Sequence, residues 1–306
     1  MVNYTGKIRP KSIPFFLRLC YNGRQEFRFG LEIHGRIREF TDRREVAAMR
    51  PIEEPFLCKI LRRAVDLVYP KMELVGLENL PREACVIVGN HSQAHGAIVS
   101  EERLPFDHYT WCASQMMDKK EVADYAFQDF WSDKPRSIQW LFWIVSRLIK
   151  YPAVYIMTHA RTIPVYHDSR CLTTFRRSME KLEDGYHLVI FPECRQEYNN
   201  ILYEFQDRFI DLAWMYYKRT GKRLQFVPMY LAPKLKKIFF GQPISFDPEA
   251  PKAAERQRIK QALMDAITDI ACAQPLHTVI PYRNISPKHY PKNLPCEVHQ
   301  VEKTHG

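Results

Sequence analysis

His91 follows directly on an apolar run, Ala84-Cys85-Val86-Ile87-Val88, closed by Gly89 and Asn90. The run reads as a buried strand, so the imidazole falls at a strand's C-terminal end, the edge of an α/β sheet where ligands bind. Histidine there suits general-base work, because its neutral form predominates near physiological pH. Ser92 is placed to cap the following helix. His95 comes one helical turn later, and an i,i+4 pair of imidazoles can share a cation. A metal centre takes further ligands, however, and no additional histidine box or CxxC pair accompanies the two, so no metal is expected. A second group, Phe191-Pro192-Glu193-Cys194-Arg195, ends the apolar run from His187 to Phe191 and offers a carboxylate beside a guanidinium. Arg161 to Arg170 (RTIPVYHDSR) supplies two more arginines, and Val227-Pro228-Met229-Tyr230 lies within a third apolar run. Each of these has a plainer reading: His95 packs, Arg195 pairs with a surface acid, and Cys194 fills space as a small hydrophobe.

The elements that must position these residues alternate between strand and helix from Met72 onward. Ala84–Val88, Thr162–Tyr166, His187–Phe191, Gln225–Leu231 and Lys237–Phe240 read as strands, with helices over about 92–150 and around Tyr203–Lys218. Leu172, Phe175, Met179 and Leu182 make a helical stripe stopped by Gly185, and Ile259, Leu263, Ile267 and Ile270 make another. The pattern predicts an α/β fold, a central mixed, largely parallel sheet flanked by helices. Residues 1–50 form an accessory segment, with a period-two pattern at Phe27, Phe29, Leu31 and Ile33. Residues 51–275 form the α/β domain, entered by a helical stripe from Leu57 to Val68. Residues 276–306 make an irregular, basic, Pro-rich tail.

The 306 residues are 46% apolar, enough for a sizeable core, and carry a formal net charge of +10. That excess attracts anions, but no zinc finger, RNP motif or basic zipper accompanies it, so nucleic acid is not expected. Eight scattered cysteines and no secretory leader predict a reducing, cytoplasmic setting. No run reaches the roughly 20 apolar residues a bilayer span takes. The greasiest, Ser137–Ser146 (SIQWLFWIVS), reads first as a buried core helix and alternatively as an interfacial one. Trp140, Trp143 and the basic excess predict peripheral membrane association.

The order NHSQAHG, RTIPVYHDSR, FPEC and VPMY, with GLENLP before the first and LEDGYHLVIFPE leading into the third, resembles the glycerolipid acyltransferase family. The resemblance runs from about Met72 to about Cys272. It implies acyl transfer from a thioester donor, acyl-CoA or acyl-carrier protein, to a hydroxyl of a lysophospholipid or glycerol phosphate, with no cofactor. His91 maps onto that family's general base and Glu193 onto its acceptor-associated glutamate. Asn90, Arg195 and Arg161 are the implied substrate-binding residues, since a phosphate acceptor wants fork-shaped cations. The chain departs from the family at Gly96, where an aspartate is expected. His95 and Glu101 are the candidates for an auxiliary role in its place. His167 stands at the middle-block arginine, Cys194 replaces a glycine, and Arg195 arrives one residue early. The competing reading is a non-catalytic member that keeps a pocket for acyl chains or anionic lipid.

Overall fold

The computed structural model describes residues 69–131, 134–295 and 299–300, with positions 60, 63 and 67. The chain divides into two compact units, Met1–Glu53 and Glu54–Gly306, and every described residue belongs to the second. The patterned segment at residues 27–33 and most of the stripe from Leu57 to Val68 lie outside the described residues.

Among the described residues of that unit, eleven strands are interspersed with helices. They are β1 (Glu73–Val75), β2 (Val86–Gly89), β3 (His108–Ala113), β4 (Thr162–Val165), β5 (His187–Ile190), β6 (Glu193–Tyr198), β7 (Tyr203–Phe205), β8 (Gln225–Ala232), β9 (Lys237–Phe240), β10 (Ile244–Ser245) and β11 (His299–Gln300). The α-helices are α1 (His95–Glu102), α2 (Val122–Ala126), α3 (Arg136–His159), α4 (Cys171–Glu183), α5 (Asp211–Thr220) and α6 (Lys252–Cys272). The main sheet runs β1-β9-β8-β2-β5-β3-β4, with β10 on β8. Its central strands β8, β2, β5, β3 and β4 are parallel, while β9 and β10 pair antiparallel with β8. The fold is therefore α/β, a mixed and largely parallel sheet covered by helices on both faces.

Both faces must be apolar in such a sheet, and the central strands alternate their residues between two cores. Val86, Val88, Leu188, Ile190, Phe226 and Tyr230 pack with α4, α5 and α6. Cys85, Ile87, Val189, Val227, Met229 and Leu231 pack on the opposite side, with Val99 of α1. Burial on both faces explains why the central strands read as continuous apolar runs.

Several elements differ from the sequence reading. Strand β3 lies inside the stretch assigned to helices over about 92–150, although its Tyr109, Thr110 and Trp111 are strand-favouring residues. Residues 203–205, expected as helix, form β7, which with β6 and β11 makes a separate three-stranded sheet. The run at 137–146 is not a core helix: of the 24 residues of α3, only Ser146 and Val154 are buried. The stretch over 276–295 packs closely, with His277, Val279, Ile280 and Asn293 buried.

Candidate active site

Strand register brings the first and third sequence blocks together. Val88 is opposite Ile190 on the parallel pair β2 and β5, so His91 and Glu193, each three residues further on, leave the sheet at one edge. The Glu193 carboxylate is buried and bridges two backbones. Its Oε1 accepts from the His91 backbone N–H at 2.5 Å and its Oε2 from that of Tyr203 at 2.8 Å. Burial pushes its pKa up to about 7, against the two N–H donors, which favour the anion. Glu193 thus holds the backbone of His91 and not its ring.

Asn90 clips the same turn to the neighbouring strand. Its Oδ1 accepts from Leu231 N at 2.7 Å, and its Nδ2 donates to Leu231 O at 3.1 Å and to Ser92 Oγ at 2.9 Å. With these bonds made, the side chain acts on the turn and is not turned toward a substrate. Beyond it the backbone is strained: Ser92 and Gln93 have φ of 47° and 56°, left-handed values that side-chain-bearing residues adopt at a cost of about 1–3 kcal/mol each. Ser92 therefore is not a helix cap. The helix α1 starts later, at His95, after an Ala94 N-cap with no side-chain bond. Gln93 is anchored by Tyr290, whose Oη lies 2.9 Å from its Nε2.

Gly96 closes this turn. Its N–H donates to His91 O at 3.0 Å, and a Cβ there would meet that oxygen at 2.7 Å and the Phe191 ring at 3.1 Å. The turn has no room for the aspartate that the family resemblance leads one to expect.

The His91 ring is walled by aromatics, edge-on to Phe191 and Tyr282 with centroids 5.4 Å away in each case. Its Nδ1 is buried without a hydrogen-bond partner. Burial holds its pKa below the ordinary imidazole value, while backbone polar groups near Gln93 and the carboxylate charge of Asp129 pull it upward. His91, Gln93, Asp129, Phe130, Tyr282 and Asn284 line a small recess with room for about one water molecule. The arrangement presents a neutral imidazole beside a carboxylate-bearing wall, the requirement for a base whose protonated form must then be stabilised.

The remaining candidates lie elsewhere. His95 is engaged by Tyr69, whose Oη is 2.7 Å from its Nδ1, and does not join His91. Glu101 sits near the end of α1, where its charge acts on the Cys112 thiol of β3. Arg161 precedes β4 at the opposite edge of the sheet, roughly 16 Å along the strands from His91 by register. It pairs there with Asp107 and lies over the Tyr186 ring, so the geometry does not bring it to the imidazole. Arg195 falls within β6, and its side chain lies outside the described part of the structure. Cys194 is buried, in keeping with a space-filling role. Among the described residues no group of three or more His, Cys, Asp or Glu is arranged to hold a metal ion.

Asp129, Phe130, Tyr282 and Asn284 were not singled out from sequence. The first two stand on a π-helical turn, Phe127–Trp131, and the others in the tail. A π turn often marks a functional site but leaves no periodic trace in composition.

No protein-family model matches this chain, and no curated protein matches it either. Among solved structures it is similar to the crystal structure of the 1-acyl-sn-glycerophosphate (LPA) acyltransferase, PlsC, from Thermotoga maritima. That likeness has 15% sequence identity and a TM-score of 0.42, covering 76% of this chain and 84% of that one. A likeness of that degree fixes neither the fold nor the chemistry of this chain, which rest on its own residues.

Proposed function

We propose that the chain is an O-acyltransferase, with His91 as the general base. In this reading His91 takes the proton from an acceptor hydroxyl as its oxygen attacks the thioester carbonyl of an acyl-CoA or acyl-carrier protein. The C–S bond then breaks, the thiolate takes up a proton, and the ester is released. The acceptor is a lysophospholipid or glycerol phosphate, whose phosphate is assigned to Arg195. The Asp129 carboxylate supplies the negative charge near the imidazolium that Gly96 cannot.

One observation carries the reading. Two sequence blocks that lie 102 residues apart meet through the bond from His91 N to Glu193 Oε1, beside an imidazole whose burial favours the neutral, proton-accepting form. The order of the four blocks along the chain supports acyl transfer over other base-dependent chemistry.

The test is thioester consumption that depends on an added alcohol acceptor, measured for the native chain and for His91→Ala. A positioned base contributes about 10²–10⁴-fold, so the variant should lose at least that factor while its circular dichroism shows the fold retained. Full activity in His91→Ala removes the imidazole from the mechanism. Binding of acyl-CoA without turnover across donors and acceptors establishes instead the non-catalytic module, the reading that Gly96 favours.

A further inference from the structure

Helix α3 carries a surface that neither the sheet nor the His91 site uses. Seven of the twelve exposed large apolar residues among those described stand on this one helix. Trp140 is 64% exposed, Trp143 49% and Leu148 70%, fractions that do not belong to a core element. At about 100° per residue, Trp140, Ile144, Leu148 and Tyr151 fall within a stripe of about 80°, with Leu141 and Trp143 on its two sides. The other side of the helix packs against α2 and the turn at Ser114–Met117.

The charges on α3 have one sign. Its sequence, RSIQWLFWIVSRLIKYPAVYIMTH, holds no Asp or Glu, and Arg136, Arg147 and Lys150 project along one border of the apolar stripe. Arg147 is shared between Asp124 of α2, at 2.7 Å, and the face of Trp143, 4.7 Å from the ring centroid. Lys150 lies over the Tyr151 ring. A cation resting on an exposed indole at the edge of an apolar stripe suits a boundary between hydrocarbon and anionic headgroups. A protein partner of ordinary composition would bring charges of both signs and gain nothing from that bias. Among the described residues no helix, α3 included, is long and apolar enough to cross a membrane.

We infer that the outward face of α3, centred on Trp140, Ile144 and Leu148 and bordered by Arg136 and Lys150, docks the protein onto the surface of an anionic lipid bilayer. The helix lies in the interface plane with its indoles at headgroup depth. This docking is independent of the chemistry proposed at His91.

Flotation of the full chain with vesicles tests it, using phosphatidylcholine alone against phosphatidylcholine with phosphatidylglycerol. The protein should float with the anionic vesicles at low salt, with tryptophan emission shifted to the blue, and should dissociate as ionic strength rises. The double substitution Trp140→Ser, Leu148→Ser should weaken binding at least tenfold without altering Tm, because both side chains are exposed. Arg136→Gln and Lys150→Gln should each weaken it roughly fivefold. His91→Ala should float as the native chain does, which separates this inference from the catalytic one. Native-like flotation of the double variant, or no flotation at low salt, overturns it. So does concentration-dependent self-association that the double variant abolishes while vesicle binding persists, which would make the face a contact between two copies.

Discussion

Gly96 offers the sharpest test of the site's geometry, because sequence logic and structure give opposite answers there. By family resemblance, Gly96→Asp restores a missing acid and should raise activity. By structure, any side chain at 96 enters occupied space: its Cβ meets His91 O at 2.7 Å and Phe191 Cε1 at 3.1 Å, against an ordinary contact of 3.4–4 Å. One obstacle is backbone and the other a ring packed edge-on against His91, so neither yields freely. Overpacking of this kind costs about 1–3 kcal/mol. For a domain of this size that is a fall in Tm of roughly 3–10 °C. Relief comes only by moving the His91 carbonyl, which displaces the imidazole that follows from the same Cα. A misplacement near 1 Å costs about 10²-fold in rate. Both Gly96→Asp and Gly96→Ala should therefore melt early and transfer acyl groups slowly, and the alanine variant should account for most of the loss, since it adds bulk without charge. Calorimetry and a thioester assay on the two variants decide the matter. An aspartate variant with native Tm and enhanced turnover would refute the steric argument and reinstate the missing acid.

Three further outcomes follow from the same residues. Glu193 keeps a proton up to about pH 7 in the folded chain against 4.5 when exposed, so the native state binds more protons between those values. Stability should then decline as pH rises from about 4.5 through 7 and level off above, by up to about 3 kcal/mol, and urea midpoints of Glu193→Gln should lose that slope; equal slopes would count against a buried, protonated carboxyl. Asp129→Asn removes a charge that raises the His91 pKa, so the acid limb of kcat/KM should move to lower pH with Tm unchanged, and an unmoved limb would exclude Asp129 as a partner of the imidazole. Arg195→Ala should raise KM for a phosphorylated acceptor by about 10–100-fold, the worth of a charge-assisted bond, with kcat little altered; an unchanged KM removes Arg195 from the acceptor site.

The sheet was legible because burial on both faces forces unbroken apolar runs, and Val86–Val88, Leu188–Ile190 and Phe226–Leu231 have them. His91 and Glu193 could be paired from sequence for the same reason, since each follows a core strand at the same distance and adjacent parallel strands end together. Arg161, which the family resemblance implies as a substrate-binding residue, stands before its strand, and in a parallel sheet that is the far edge from His91. α3 was misread because periodicity reports that a face is apolar and says nothing of whether protein covers it. Asn90 shows a subtler limit. Its position beside His91 resembles that of a binding residue, yet its amide is spent on Ser92 and Leu231, the latter a pairing across 141 residues that no local pattern announces.

The walls of the recess differ in how they are held, and this bears on how a substrate enters a space with room for about one water molecule. Its floor is tied to the sheet: Glu193 grips His91 N, and Asn90 grips β8. Its roof comes from two segments outside the sheet, the π turn with Asp129 and Phe130 and the tail with Tyr282 and Asn284. Those segments are latched to each other where Asn284 Nδ2 donates to the Phe130 carbonyl. On the proposed function, an acyl chain or acceptor headgroup enters by parting the roof and leaving the floor in place, since opening the floor would break the bonds that position the His91 backbone. The roof also adjoins α3, which begins five residues after Trp131, so lipid engagement of that helix and access to His91 act on neighbouring stretches of chain. It follows that Asn284→Ala, which releases the latch but leaves Glu193 and Asn90 in place, should raise turnover when entry limits the rate. Substitutions of Asn90 should lower it under all conditions.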